Sequence, residues 1–235
     1  MLRSSLKLAV ALWLAGAVTG LVSGQEKPKV QVAIPNPGVP EVMTIEGKFV
    51  RAAYNNEGYV IIGYQVANRS IGDEWMMLDL GTTVRDNTPE YTLKREHLSV
   101  DIPSGKTIPL ATTEEYRKAN LRAVEQRARL QRDSINYFPP MATQACRIGF
   151  FADITSPAMA WDEVAVSNRR GCMGRLFFQI PGGIVHGQYF LNVKFANSVI
   201  RVPFRILTEE EERLLGDNYG DIRRQIQDAF RPKKK

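Results

Sequence analysis

The sequence predicts a mainly β chain folded as an antiparallel sandwich, with a barrel as the alternative. Short apolar runs of period two recur between Lys48 and Ile206. Gly-, Pro- and Asn-rich clusters separate these runs, and they do not alternate with helical patterns as a parallel α/β sheet would require. Hydrophobic residues make up 44% of the chain, so a sizeable core can be buried.

Phe49 to Tyr54 reads as a strand closed by the hairpin-type turn Asn55-Asn56-Glu57-Gly58. Tyr59 to Ala67 is apolar on both faces, the pattern of a central strand, and stops at the turn cluster Asn68 to Gly72. Met76, Leu78, Leu80, Thr82 and Val84 alternate with Met77, Asp79, Gly81 and Thr83, which marks a half-buried strand. Tyr91 to Ile102 is a more charged strand ending at Pro103-Ser104-Gly105. Cys146 to Ile154 and Met173 to Ile180 follow, and Pro181-Gly182-Gly183 turns the chain. The clearest hairpin pairs Tyr189, Leu191, Val193 and Phe195 with Ile200, Val202, Phe204 and Ile206 across Ala196-Asn197-Ser198.

Two helical passages interrupt or follow the strands. Residues 112–134 open with Thr112 and Glu115 at capping-box spacing, each side chain able to satisfy the other residue's free backbone N–H. Tyr116, Ala119, Leu121, Ala123, Val124, Ala128 and Leu130 spread over a shallow apolar face, while Lys118, Arg122, Arg129 and Arg132 gather elsewhere as a solvated face. Thr208 with Glu211 repeats the box, and Tyr219, Ile222, Ile226 and Phe230 form the apolar stripe of a last helix. The strands and turns, with an apolar strand ending at an Asn turn as at Val66-Ala67-Asn68, resemble immunoglobulin-like modules of bacterial envelope proteins. The pattern itself places a β-sandwich over 47–206 with the helix 112–134 inserted and a helical extension over 207–230, and the resemblance, which covers about half the chain, marks that sandwich as immunoglobulin-like. The resemblance also implies a binding or assembly role.

The N-terminus carries an address. Arg3 and Lys7 precede a run from Leu8 to Val22 with no charge, and Val22-Ser23-Gly24 are small residues suited to a signal peptidase. Residues 1–24 are therefore expected to be a signal peptide cut after Gly24, since the run is short of the roughly 20 residues that span a bilayer. Residues 25–46 hold Pro28, Pro35, Pro37 and Pro40 and read as an extended arm, with Val30, Val32 and Ile34 alternating as an edge strand would. The formal charge is +6, and it falls to +4 without Arg3 and Lys7. Arg231, Lys233, Lys234 and Lys235 supply all of that remainder, a basic tail at 231–235 on a neutral body. A neutral body argues against a nucleic-acid-binding face, which needs distributed positive charge.

Cys146 and Cys172 are the only cysteines, and in an exported chain they are expected to form one disulfide. No pair among them and the only histidines, His97 and His186, has metal-ligand spacing, so neither a metal nor a cofactor is expected. Ser104-Gly105-Lys106-Thr107 lacks the earlier glycine of a phosphate-binding loop, because Val100 stands there. No Gly-x-Ser-x-Gly elbow is present. Asp162 and Glu163 beside Trp161 offer a carboxylate pair, but adjacent strand residues point to opposite faces.

The segment from Thr155 to Gly171, lying between the cysteines, is the candidate functional loop. Trp161 is its apolar anchor, and Arg169 and Arg170 are donors for a ligand or partner. The expected function is a non-enzymatic binding or assembly module of the cell envelope or extracellular space, with a protein or an envelope polymer as partner. Two other readings use different residues: a secreted hydrolase with His97 or His186 in its centre, and a membrane-associated scaffold held by an uncleaved N-terminus or the basic tail.

Overall fold

A computed structural model describes residues 42–131, 133–152 and 159–230. The expected signal peptide, most of the arm, Arg132 and the basic tail lie outside these residues. In chain order the strands and helices are β1 (Val42–Gly47), β2 (Val50–Tyr54), β3 (Gly58–Gly63), α1 (Gln65–Asn68), β4 (Trp75–Val84), β5 (Tyr91–Lys94), β6 (Leu98–Asp101) and β7 (Thr107–Pro109). There follow α2 (Thr113–Lys118), α3 (Arg122–Leu130), β8 (Gln144–Ile148), β9 (Glu163–Val166), β10 (Arg170–Gln179), β11 (Gly187–Lys194), β12 (Val199–Ile206), α4 (Glu209–Asp217) and α5 (Tyr219–Ala229). The described residues are mainly β, with sandwich-like sheets and five α-helices.

One sheet runs β1-β2-β3-β4-β10-β8, a second β12-β11-β6-β7, and β5 pairs with β9 as a two-stranded ribbon. Their inner faces are joined by an aromatic chain in which Phe49 meets Tyr64, Tyr64 meets Phe204, and Phe204 meets Tyr189, with ring centroids 5.3–5.5 Å apart. Around it the alternating residues of the β11–β12 hairpin are buried, as are Ile62, Leu78, Leu80, Leu176 and Phe178, all essentially inaccessible to solvent. The hairpin, its register and its turn follow the sequence pattern. At its tip Phe195 lies over Gly58, where an added Cβ would sit 2.2 Å from the ring.

Several elements depart from the sequence reading. Val42–Gly47 forms the edge strand β1, overlapping the end of the segment expected to be an arm. Its outer flank is met by α5, where the Tyr219 hydroxyl donates to the Ile45 carbonyl and Arg223 pairs with Glu46 at 3.2 Å. The strand expected to run to Ala67 ends at Gly63, and Gln65–Asn68 is a helical turn. The Asp133 carboxylate accepts the Gln65 N–H at 2.8 Å, and the Asn68 side-chain oxygen accepts the Leu207 N–H at 2.6 Å. Those two bonds hold the helical turn, so the Val66-Ala67-Asn68 strand ending that carried the immunoglobulin likeness is absent here. Asn68 is itself buried. Tyr91 to Ile102 breaks into β5 and β6 at a 3-10 turn over Arg95–His97, and the two halves join different sheets.

The inserted helix is two helices. The Thr112–Glu115 capping box starts α2, but Ala119 is extended at φ −75° and ψ 143°, and α3 begins afresh at Arg122. Tyr116, Leu121, Val124 and Ala128 are buried as the apolar face predicts, whereas Leu130 is 78% exposed. On the basic face Lys118 pairs with Glu114 one turn earlier at 2.6 Å, and Arg127, outside that face, binds Asp73 and the Ser70 hydroxyl.

β4 is buried on both faces rather than one. Its outer face is roofed by residues 133–138, which run across the sheet and cover positions where strand residues lack side chains. A Cβ on Gly63 would meet Asp133 at 2.8 Å, and one on Gly81 or Gly171 would meet the Phe138 ring at 3.0 Å. Ile135 completes this second core with Val50, Ala52 and Ile61. Removing a large ring from such a site leaves a void that the rigid sheet cannot fill. Phe138→Ala is therefore expected to cost about 2–3 kcal/mol, read as a lower urea midpoint at unchanged slope, while Leu130→Ala stays within about 0.5 kcal/mol.

Candidate functional site

Among the described residues β8 is the last strand of the six-stranded sheet and its only parallel member, set against β10 with Cys146 directly opposite Cys172. All other pairings described are antiparallel. The two sulfurs stand 2.17 Å apart as a disulfide closing a separation of 26 residues. Loop closure of that span contributes about 3 kcal/mol in the chain-entropy account. The bridge thus ties an edge strand to the middle of the molecule. Close approach continues at Gly174, where an added Cβ would lie 2.2 Å from the Ile148 carbonyl oxygen, so only glycine lets β8 come this near.

A cleft of about 390 Å³ opens on the outer face where β8, β10 and β4 meet α2 and α3. Its aromatic wall is built in layers. Tyr116, positioned by the α2 cap, packs against Phe151 and Phe177 at centroid distances of 4.7 and 5.0 Å, and its hydroxyl donates to the Ala152 carbonyl at 2.9 Å. Arg95 secures that wall from behind: its guanidinium donates to the Phe150 and Ala111 carbonyls and lies 4.7 Å from the Phe151 ring centre. The floor carries Asp79, almost wholly buried, with Arg175 beside it at 3.9 Å on the neighbouring strand. Arg147 and Met173, cross-strand neighbours by register, stand exposed at the mouth.

The three sequence-derived candidates bracket this edge rather than cluster. The Trp161 N–H donates to the Gly149 carbonyl at 2.7 Å, just past the C-terminal end of β8, and the indole is 61% exposed. Arg169 and Arg170 lie at the other end, where the Arg169 carbonyl accepts the Gln144 N–H at 2.9 Å. At roughly 3.3 Å per residue the two groups are about 16 Å apart along the strand. Arg170 also faces Glu90 at 3.8 Å. The loop expected between Thr155 and Gly171 contains β9, whose pairing with β5 stiffens it. The cleft itself had no local signal in the sequence, because its walls come from five separated elements.

The histidines are placed apart from the cleft. His97 Nδ1 accepts the Lys94 N–H at 3.1 Å and meets the Tyr91 hydroxyl at 2.6 Å, while that hydroxyl also donates to the Lys194 carbonyl. Burial holds His97 below its usual pKa, with Lys194 and Lys94 adding and Glu96 opposing. Burial, with Glu57 and Glu96, pushes the Tyr91 phenol up to about 12. His186 is exposed in the turn before β11. No group of three or more metal-ligating side chains occurs among the described residues.

Behind the cleft, Asp133 is pushed up to about 6, chiefly by burial, with Asp79 adding and the Gln65 N–H opposing. A carboxyl raised in the folded state binds its proton more tightly there than in the unfolded chain, whose Asp titrates near about 4. Asp133's contribution is therefore present in full below about pH 4 and is lost as pH rises through about 6. Asp133→Asn keeps an oxygen for the Gln65 N–H and removes the titration. The variant's urea midpoint, relative to the parent's, is expected to climb between pH 4 and pH 7; a pH-independent difference would refute this assignment.

Compared with protein-family models, curated proteins and solved structures, the chain matches none.

Proposed function

We propose that the chain is an exported, non-enzymatic binding or assembly module of the cell envelope or extracellular space, working through the β8 edge and its cleft. One observation carries this reading: a half-open cleft with an aromatic wall adjoins an exposed edge strand that Trp161 and Arg169–Arg170 bracket. Rigid concave surfaces with an apolar wall and a few fixed charges are the usual form of recognition sites. Export is supported by the charge-free run ahead of Gln25 and by the joined cysteine pair, since disulfides persist outside reducing compartments. Among the described residues no helix is long and apolar enough to cross a membrane. A protein or an envelope polymer is the expected partner.

The hydrolase reading finds less support. His97 Nδ1, the nitrogen a carboxylate would orient in a catalytic triad, is taken by the Lys94 backbone N–H and the Tyr91 hydroxyl.

The test uses the chain in its native host with a photoreactive amino acid at Met173, at the cleft mouth, or at Val199, exposed on β12. The protein is expected in the envelope or medium with its first residue at Gln25 and a mass two hydrogens below the reduced form. Irradiation is expected to give one discrete adduct from position 173 and none from 199. Equal adducts from both positions, or a product that still carries residues 1–24 in the cytosol, would sink the proposal.

A further inference from the structure

The backbone of β8 carries an inference about the kind of partner. Gln144 directs its N–H to the Arg169 carbonyl, toward β10. Along a strand successive N–H and C=O groups alternate sides, so Cys146 and Ile148 also face β10 while Ala145 and Arg147 face away. Gly149 obeys the same alternation, its carbonyl meeting the Trp161 N–H on that outer side. Among the described residues no strand pairs with β8 there, and Gln144, Ala145 and Arg147 are exposed. Open edges of this kind template another strand unless charge, proline or a covering element protects them.

Charge selects the occupant. Arg169 and Arg170 stand at the N-terminal end of the edge, where Glu90 lies 3.8 Å from Arg170, and Arg147 stands farther along it toward Gly149 and Trp161. Asp162 and Glu163 sit at the Trp161 end. We infer that β8 receives an extended acidic peptide as an added strand. Its backbone bonds to the outward N–H and C=O groups of Ala145 and Arg147. One carboxylate meets Arg169 at the start of the edge, a second meets Arg147 farther along it, and an apolar side chain lies over Met173 at the cleft mouth. Main-chain bonding gives such complexes affinity, and alternate side chains give them specificity. This inference rests on the proposed binding role of the same edge and narrows it to polypeptide.

Ala145→Pro is the discriminating variant, because it deletes one outward donor and leaves the ladder to β10 intact. Arg147→Glu reverses the charge without touching the backbone and serves should proline perturb the strand. The mature, disulfide-bonded protein is used to select from a phage-displayed library of random twelve-residue peptides, and the enriched peptides are synthesised. They are expected to contain Glu or Asp beside alternating β-branched residues and to protect the Ala145 and Arg147 amides from hydrogen exchange. Their affinity is expected to fall at least tenfold for Ala145→Pro and for Arg147→Glu at unchanged thermal midpoint, and to weaken with salt. Failure to enrich any peptide, protection at other strands, or undiminished binding to both variants overturns strand addition. If the position-173 adduct persists in Ala145→Pro, or proves to be a polysaccharide, the binding-module reading survives and this inference alone falls.

Discussion

A sheet whose two faces are both apolar has to be covered twice, and that requirement organises the molecule. The six-stranded sheet meets the four-stranded sheet on one side through interlocked rings and branched side chains. On the other it meets α2, α3 and residues 133–138. Strand residues at this second contact are glycines at Gly63, Gly81 and Gly171, which lets the covering segment lie almost on the backbone. Dense contact of this kind makes the interior stiff, so what it leaves uncovered is equally well defined.

The uncovered part is the β8 end. The roof ends where Phe138 rests over Gly171, and beyond it the sheet continues to an edge strand held by a parallel ladder and one disulfide. The cleft lies where this corner meets α2 and α3, and Arg95 fixes Phe150 and Phe151 in place there. Charge enters at the same corner. Arg175 offsets Asp79 on the floor, and Arg147 remains at the rim. A rigid frame with an open margin at β8 is a physical arrangement suited to recognition, since little conformational entropy has to be lost on binding.

Electrostatics elsewhere serves cohesion. Glu212 of α4 gathers both Lys48 and Arg69, and Arg205 pairs with Glu211 beside the second capping box, so the C-terminal helices are pinned to the sheet by contacts far apart in sequence. Each such pair is partly exposed and individually worth little, about 0–1 kcal/mol, but together they fix the angle at which α4 leaves β12.

Local pattern alone determined the β class, the β11–β12 hairpin, both capping boxes and the burial of Tyr116 and Ile222, because period and capping chemistry act over a few residues. It also singled out Trp161, Arg169 and Arg170 by type, without their relation to one another. Only the tertiary structure decided that β4 is buried on both faces, that Gln65–Asn68 coils instead of extending, and that the inserted helix is interrupted at Ala119. Each of these depends on a partner more than forty residues away or on packing that no window of sequence contains. The open edge is the extreme case. Nothing within Gln144–Ile148 says whether a neighbour lies on one side or two, and that is settled by where β10 and the roof of residues 133–138 come to rest.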